Sequence, residues 1–234
     1  MSRSTSRLET SLNEHFVPVL LADGFSGYGG TFRRVLGDFV NIVQVVESEH
    51  GWEFAVHLGV QPLTIRDVYG DPPDPRTLTE ERCEFRRRLA DSAGDHRWPH
   101  DGSTESIDQA TRAAATTYAI AGRMAFLALC GPDSPLRSIT PDEFEAGSYN
   151  FSGFGSTKVR MAVAIALMRS AAGRGAAARA FARIGLDLLP PSSSSMRRSL
   201  EALCAVEDSA DVEEAAGADS GGGFVRDPVS EVSH

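Results

Sequence analysis

The amino-acid sequence predicts an α+β protein with an N-terminal helix, an antiparallel β-meander of three to four strands, a C-terminal helical region and a disordered acidic tail. Three observations predict this class. After a first helix, apolar residues alternate at strand spacing up to about residue 101, and they recur at helical spacing from 102 to 206. The chain then becomes acidic and poor in large apolar residues. We therefore expect a sheet region over 1–101, a helical region packed on or beside it over 102–206, and a tail over 207–234.

The first predicted element is a helix over residues 8–21. Its apolar residues recur at helical spacing and are Leu8, Leu12, Phe16, Val19 and Leu20. Pro18 is expected to kink or shorten this helix near its end, because proline lacks the backbone N–H that an inner turn needs.

A two-residue turn organises the next two strands. Residues 31–36 and 39–46 are both strand-like, and Gly37 followed by Asp38 suits a type II′ turn between them. The run 39–46 is apolar on both faces, which predicts a central strand. The glycines of 24–30 are interpreted as turn or bulge residues, because no helix follows them as a phosphate-binding loop requires.

The clearest strand covers residues 52–60. Its alternating residues share one face and are Trp52, Phe54, Val56, Leu58 and Val60. A fourth strand is expected within 82–89, with Arg87 turned inward, and the alternative is a helix capped by Thr77 with Glu80.

Helices account for the second half of the chain. Ser103 can cap a long amphipathic segment that Gly131 and Pro132 end. The run from Thr140 to Glu143 forms a capping box with proline at the first helical position. Three further helices are expected near residues 157–172, 176–189 and 195–206.

The formal net charge of -9 is concentrated in the tail. Residues 207–234 hold eight acids and one arginine, so the rest of the chain holds 24 acids and 22 basic residues, a net of -2. A nearly neutral body argues against nonspecific nucleic-acid binding, which depends on clustered positive charge. The tail buries too little apolar surface to offset its ordering entropy, so disorder is expected.

The composition indicates a bacterial, cytoplasmic protein. Lys158 is the one lysine among 23 basic residues, as is typical of a GC-rich genome, and no apolar signal core follows the N-terminus. The most apolar run, 159–168, is too short to span a bilayer. Cys83, Cys130 and Cys204 lie far apart and predict reduced, buried thiols. No cofactor and no membrane contact are expected, and whether the protein has a small-molecule ligand is unknown from the sequence.

Four short blocks resemble a bacterial family catalogued as a domain of unknown function, number forty-three-zero-four. They are 24–25, 30–34, 43–46 and 54–60, with fainter similarity at 83–86 and 97–98 that extends to the helices near Tyr118 and Arg160. A glutamine commonly stands in the family where this chain has Glu47, and an asparagine where it has His57. The resemblance covers most of the body and none of the tail. It implies an α+β fold with an antiparallel sheet and no established substrate, cofactor or catalytic residue.

Two groups of residues are candidates for catalysis or metal binding. Carboxylates and a histidine near one turn suit acid/base or metal chemistry, although no nucleophile can be placed beside them; they are Glu47, Glu49, Glu53 and His57. Strand parity puts Glu53 and His57 on one face. His96 and His100 are candidate metal ligands, but Trp98 and Pro99 between them exclude helical geometry, and a solvated loop without metal is favoured.

Two further groups are candidates for binding. A positive sheet face could hold an acidic protein, a nucleic acid or the chain's own tail; its arginines are Arg33, Arg34, Arg82, Arg86, Arg87 and Arg88, with Arg97 and Trp98 nearby. The loop that holds Tyr149, Phe151 and Phe154 forms an interaction patch if these rings are exposed and a packed connector if they are buried.

These observations favour a non-catalytic module that binds an unknown protein partner, in a defence or toxin-neutralising setting. A metal- or carboxylate-dependent hydrolase is the second hypothesis. Nucleic-acid binding through the arginines is the third, and the nearly neutral body counts against it.

Overall fold

The computed structural model describes residues 6–91, 94–95, 97–190 and 194–205. It confirms the α+β class, with an N-terminal helical pair, an antiparallel sheet and a helical second half. The predicted tail 207–234 lies outside the described residues.

Two helices replace the predicted helix 8–21, namely α1 (Arg7–His15) and α2 (Val17–Ala22). Pro18 lies in the first turn of α2, where its missing N–H costs no hydrogen bond. The expected break therefore falls just before the proline. Ser6 caps α1 by accepting from the backbone N–H of Glu9.

The main sheet has the order β1-β2-β3-β4-β5 and is antiparallel throughout. Its strands are β1 (Ser26–Tyr28), β2 (Thr31–Leu36), β3 (Phe39–Glu47), β4 (Glu53–Pro62) and β5 (Phe85–Arg88). Leu36 pairs with Phe39, and Gly37 has φ +58°, as a two-residue turn that begins with glycine requires. The predicted fourth strand is confirmed as β5.

Short strands complete the sheet region. They are β6 (Ala90–Asp91) and β7 (Gly94–Asp95), which pair with each other, and β8 (Trp98–Pro99), which pairs with β4 at Glu53 and Phe54. On β4 the prediction of one buried face holds for Phe54, Val56, Leu58 and Val60. It is wrong for Trp52, which precedes the strand and is 60% exposed.

The second half of the chain is helical. Its helices are α3 (Thr104–Thr117), α4 (Arg123–Cys130), α5 (Pro135–Ser138), α6 (Pro141–Ala146), α7 (Lys158–Ala171), α8 (Gly175–Leu188) and α9 (Ser194–Ala205). A π-helical turn, Tyr118–Gly122, joins α3 to α4. The capping box of Thr140 and Glu143 is formed as predicted. A core of buried residues extends from Leu8 to Leu200, so the helices and one sheet face share it.

One helical stretch, Thr104–Ser138, is long and apolar enough to cross a bilayer by length and composition, and 44% of its most apolar window is buried in the protein. The core helix of a soluble protein meets the same criteria, so the stretch is weak evidence for a membrane span. Its buried side includes Ala114 and Phe126, which belong to the shared core.

Candidate functional site

The two faces of the sheet have different coverings. The inner face, with Val43, Leu58 and Phe85, packs into the core shared with the helices. The outer face is covered in its middle by the segment 77–83, whose Leu78 and Cys83 pack on Val40 and Ile42 of β3. The remaining outer face of β4 and β5 is open to solvent.

A groove lies on this open part, and we call it the outer groove. It consists of two adjoining concavities of about 410 and 190 Å³ that share His57 and Arg88. Its charged and titratable lining residues are Glu47, Glu53, His57, Glu80, Arg86, Arg87, Arg88 and Arg97.

The strand register positions the groove residues. His57 pairs with Gln44 of β3 on one side and with Arg88 of β5 on the other. The backbone N–H of Glu80 donates to Gln44 Oε1 at 3.1 Å, which fixes a 3₁₀ turn (Glu80–Arg82) over the sheet. As a result the Glu80 carboxylate, 8% exposed, lies 3.6 Å from His57 Nδ1.

Positive charge exceeds negative charge in the outer groove. Arg97 forms a salt bridge with Glu53, and Glu80 lies beside His57. Arg86 is exposed, and its guanidinium donates a long 3.5 Å hydrogen bond to the Glu81 carbonyl. Among the described residues four arginines therefore line the groove with three carboxylates, an arrangement that attracts an anion.

Three of the four candidate catalytic residues, Glu47, Glu53 and His57, line the smaller concavity of the outer groove, and Glu49 does not. Glu53 and His57 share the outer face of β4, as the spacing predicts. Glu47 pairs with Phe54 and so takes the opposite parity, and Glu49 lies in the hairpin turn. The carboxylate nearest His57 belongs to Glu80, which sequence reasoning identified only as a helix-capping residue. The long-range contact that brings it there leaves no local spacing signal.

The arginines of the expected positive face are divided between the two sides of the sheet. Arg86 and Arg88 line the outer groove, and Arg33 lies on the same face but across the segment 77–83, where its Nε donates to the Leu78 carbonyl at 2.5 Å. Arg34 and Arg87 have inner-face parity.

Each of the two inward arginines has its own contacts. Arg34 lies 4.6 Å from the Phe25 ring centroid. Arg87 donates to the Ser152 carbonyl, and burial lowers the pKa of Arg87. Arg82, outside both groups, pairs with Asp67 and Asp71. The outer groove thus keeps only part of the predicted basic cluster.

The aromatic binding candidates are mostly packed inside. Trp98 is buried and stacks on Phe54 with ring centroids 5.6 Å apart. Phe151 and Phe154 are buried as well, and Tyr149 is partly buried against Phe151. Of the two alternatives for this loop, the burial of its rings therefore favours the packed connector.

The candidate metal ligands are not assembled in the described part of the chain. His96 lies outside the described residues, and His100 is buried with neither ring nitrogen hydrogen-bonded. Among the described residues no group of three or more His, Cys, Asp or Glu side chains could hold a metal ion. The three cysteines are free; Cys83 and Cys130 are buried as predicted, but Cys204 is only partly buried. Burial raises the pKa of Cys130 to about 12.

The fold and the groove define an α+β domain whose open sheet face carries charged side chains. Residues 16–120 match the family described as a domain of unknown function (DUF4304). The match includes all strands of the main sheet and every residue of the outer groove. It ends before Arg160. No curated protein and no solved structure matches the chain.

Proposed function

We propose that the protein is a non-catalytic interaction module that binds an acidic segment of a partner protein in the outer groove. One observation carries this proposal: of the residues that the structure describes, four arginines line the groove against three carboxylates, in a protein whose body is otherwise slightly negative. Surplus cations on a locally concave surface favour an anionic partner and increase its association rate.

The distribution of charge favours an acidic protein segment over a nucleic acid. Glu53 and Glu80 line the same groove, and their carboxylates repel a continuous phosphate backbone. Arg33, the other outward arginine of the predicted basic face, lies beyond the segment 77–83. The positive charge is therefore local, whereas duplex binding uses an extended stripe or patch.

A hydrolase is the alternative, and the 3.6 Å approach of His57 to Glu80 favours it because a carboxylate can orient a histidine base. In the 410 Å³ part of the groove the lining is His57, Glu80 and Arg86 to Arg88, a set without a hydroxyl or thiol nucleophile. Ser48 lines the 190 Å³ part with His57, but its hydroxyl has no hydrogen-bond partner among the described residues, so the histidine does not activate it. Binding therefore fits these residues better than covalent catalysis. A defence or toxin-neutralising setting stays a hypothesis that rests on the sequence.

The experiment is a titration with a fluorescein-labelled, glutamate-rich peptide, followed by anisotropy at low salt. Arg86→Glu is expected to weaken binding about tenfold, because an exposed ion pair contributes up to about 1 kcal/mol and reversal replaces attraction with repulsion. Arg76→Glu is the matched control, since Arg76 is exposed and lies outside the groove.

Three results would refute the proposal. They are equal binding by the Arg86→Glu and control variants, equal binding of an uncharged peptide, and binding that does not weaken as salt rises. Tighter binding of single-stranded DNA than of the acidic peptide would support nucleic-acid recognition instead. A rise in thermal stability on adding Zn²⁺, Mn²⁺ or Mg²⁺, reversed by a chelator, would support the hydrolase.

A further inference from the structure

A second concavity, of about 490 Å³, lies between the segment 64–70 and helices α7 and α9. We call it the helical cleft. It shares no lining residue with the outer groove. Its volume lies within the range of small-molecule sites, about 300–1,000 Å³.

One wall of the helical cleft is pre-formed by hydrogen bonds. Gln61 is fully buried, and its Nε2 donates to the carbonyls of Ile65 at 3.1 Å and Arg66 at 3.3 Å. Asp67, also buried, accepts the backbone N–H groups of Tyr69 and Asp71 at 2.9 and 3.0 Å. These bonds hold the segment 64–70 in one conformation, so a ligand need not order it.

The opposite wall is apolar. Val163 and Leu167 lie one turn apart on α7, and Met196 faces the cleft from α9. All three are only partly buried. An apolar chain laid against them would remove their remaining exposed area from water, which is favourable in proportion to that area.

The floor of the cleft is an ion pair between the buried Glu84 and the partly buried Arg160. Arg160 donates to Glu84 through Nε at 3.0 Å and Nη2 at 2.6 Å, and Ser156 Oγ donates to the same carboxylate at 2.8 Å. These bonds raise the pKa of Arg160, so its guanidinium stays charged. Glu84 is 6% exposed, and each of its carboxylate oxygens accepts at least one of these hydrogen bonds.

The hydrogen-bond donors of the cleft point to a ligand that accepts hydrogen bonds. The lining carboxylates, Glu84 and Asp67, are occupied by arginine, serine and backbone donors. Donors remain: Arg160 Nη1 has no hydrogen bond to a described residue, and Arg66 uses one nitrogen on the Gly70 carbonyl at 2.8 Å. The planar guanidinium matches a carboxylate in geometry and charge.

We infer that the helical cleft binds a small amphipathic carboxylate. Its anionic head would meet Arg66 and Arg160, and its apolar chain would lie along Val163, Leu167 and Met196. The inference does not rest on the proposed function, because the two sites share no residue. It also assigns a role to α7 and α9, which form one wall of the cleft and lie beyond residue 120, where the family match ends.

The test is calorimetric titration of the full chain with octanoate, with octan-1-ol and butyrate for comparison. Octanoate is expected to bind with a dissociation constant on the order of 1 mM or tighter. The alcohol, which lacks the charge, and butyrate, which lacks most of the chain, are expected to bind at least about tenfold more weakly.

Variants with matched controls locate the binding. Arg66→Gln is expected to weaken octanoate binding about tenfold and to leave octan-1-ol unaffected, whereas Arg76→Gln, an exposed arginine outside the cleft, changes neither. Leu167→Glu puts a repelling charge into the apolar wall and is expected to abolish binding. Leu188→Glu is its control, because Leu188 is exposed on α8.

Several results would overturn the inference. They are no heat with octanoate up to 10 mM, about ten times the expected dissociation constant, equal affinity for octan-1-ol, and an Arg66→Gln variant that binds as tightly as the unmodified chain. Circular dichroism of each variant separates lost binding from lost folding, and Arg66, being exposed, keeps the test valid if Leu167→Glu does not fold.

Discussion

The ion pair between Glu84 and Arg160 is the contact whose removal tests the fold most directly. Glu84 directly precedes β5 and lies within the matched family segment, whereas Arg160 belongs to α7, which lies beyond that segment. The perturbation is Arg160→Met, which keeps most of the side-chain volume and removes the charge. The carboxylate of Glu84 then retains only the Ser156 hydroxyl as a side-chain partner.

The magnitude follows from burial. Removing one partner of a fully buried pair costs about 3–5 kcal/mol, because the other charge is left without compensation. The Glu84 side chain is 5% exposed but that of Arg160 is 29% exposed, so water can reach the vacated space. We therefore expect the low end, about 3 kcal/mol. For a chain of this size that lowers Tm by about 6–12 °C.

The assay is urea unfolding followed by circular dichroism, with Glu84→Gln and the double variant measured alongside. Glu84→Gln is expected to cost less than Arg160→Met, since the remaining guanidinium is partly hydrated and the amide oxygen still accepts a hydrogen bond. The double variant is expected to be more stable than Arg160→Met. If Arg160→Met lowers the free energy of unfolding by less than about 1 kcal/mol, the pair behaves as a surface salt bridge and the reasoning is wrong.

Three further substitutions test the packing. Gly59→Ala is expected to cost about 1–3 kcal/mol in urea unfolding, because its Cβ would lie 2.8 Å from Cys83 Sγ, and adding Cys83→Ala should restore part of the loss. Gly122→Ala is expected to cost a similar amount, about 1–3 kcal/mol, since its Cβ would lie 2.6 Å from the Tyr118 ring; an unchanged urea midpoint would refute the close contact. Tyr118→Phe removes a 3.0 Å hydrogen bond to Asp23 and is expected to cost about 1 kcal/mol at pH 7. Burial raises the pKa of Asp23, but hydrogen bonds from Arg123 and Tyr118 outweigh it and the net pKa is lowered, so this contribution is present above the ordinary carboxyl pKa and is lost as pH falls through the lowered value. Unfolding titrations from pH 7 to pH 3 should show the difference from the unmodified chain shrinking, and a constant difference would contradict the assignment.

The strands could be predicted from the sequence because their signals are local. The turn at Gly37 fixes the pairing of β2 with β3, and the period-two alternation after residue 53 fixes which face of β4 is buried. Trp52 follows the same parity but precedes the strand, so no neighbouring strand and helix cover it. Periodicity indicates which face of the sheet a residue lies on, but the residue is buried only if another strand or helix packs against that face.

The sites could not be predicted to the same extent because long-range contacts build them. Glu80 reaches His57 only because Gln44 and Cys83 hold the segment 77–83 over the sheet. Arg34 and Arg87 look like members of one basic cluster, yet each lies one residue from an outward arginine on its strand and so faces the core. A run of adjacent arginines in a strand cannot form one surface.

The family match and the physical unit of folding have different limits. The match ends at residue 120, inside the π-helical turn Tyr118–Gly122. It leaves out Phe126, whose ring centroid lies 5.9 Å from that of Phe25 in the core. It also leaves out α1, whose Ser11 is hydrogen-bonded to Asp108 of α3 at 2.5 Å. The matched segment therefore contains the complete outer groove but only part of the core that supports it. Because core burial supplies most of the stability, the groove depends on helices that the family match does not include.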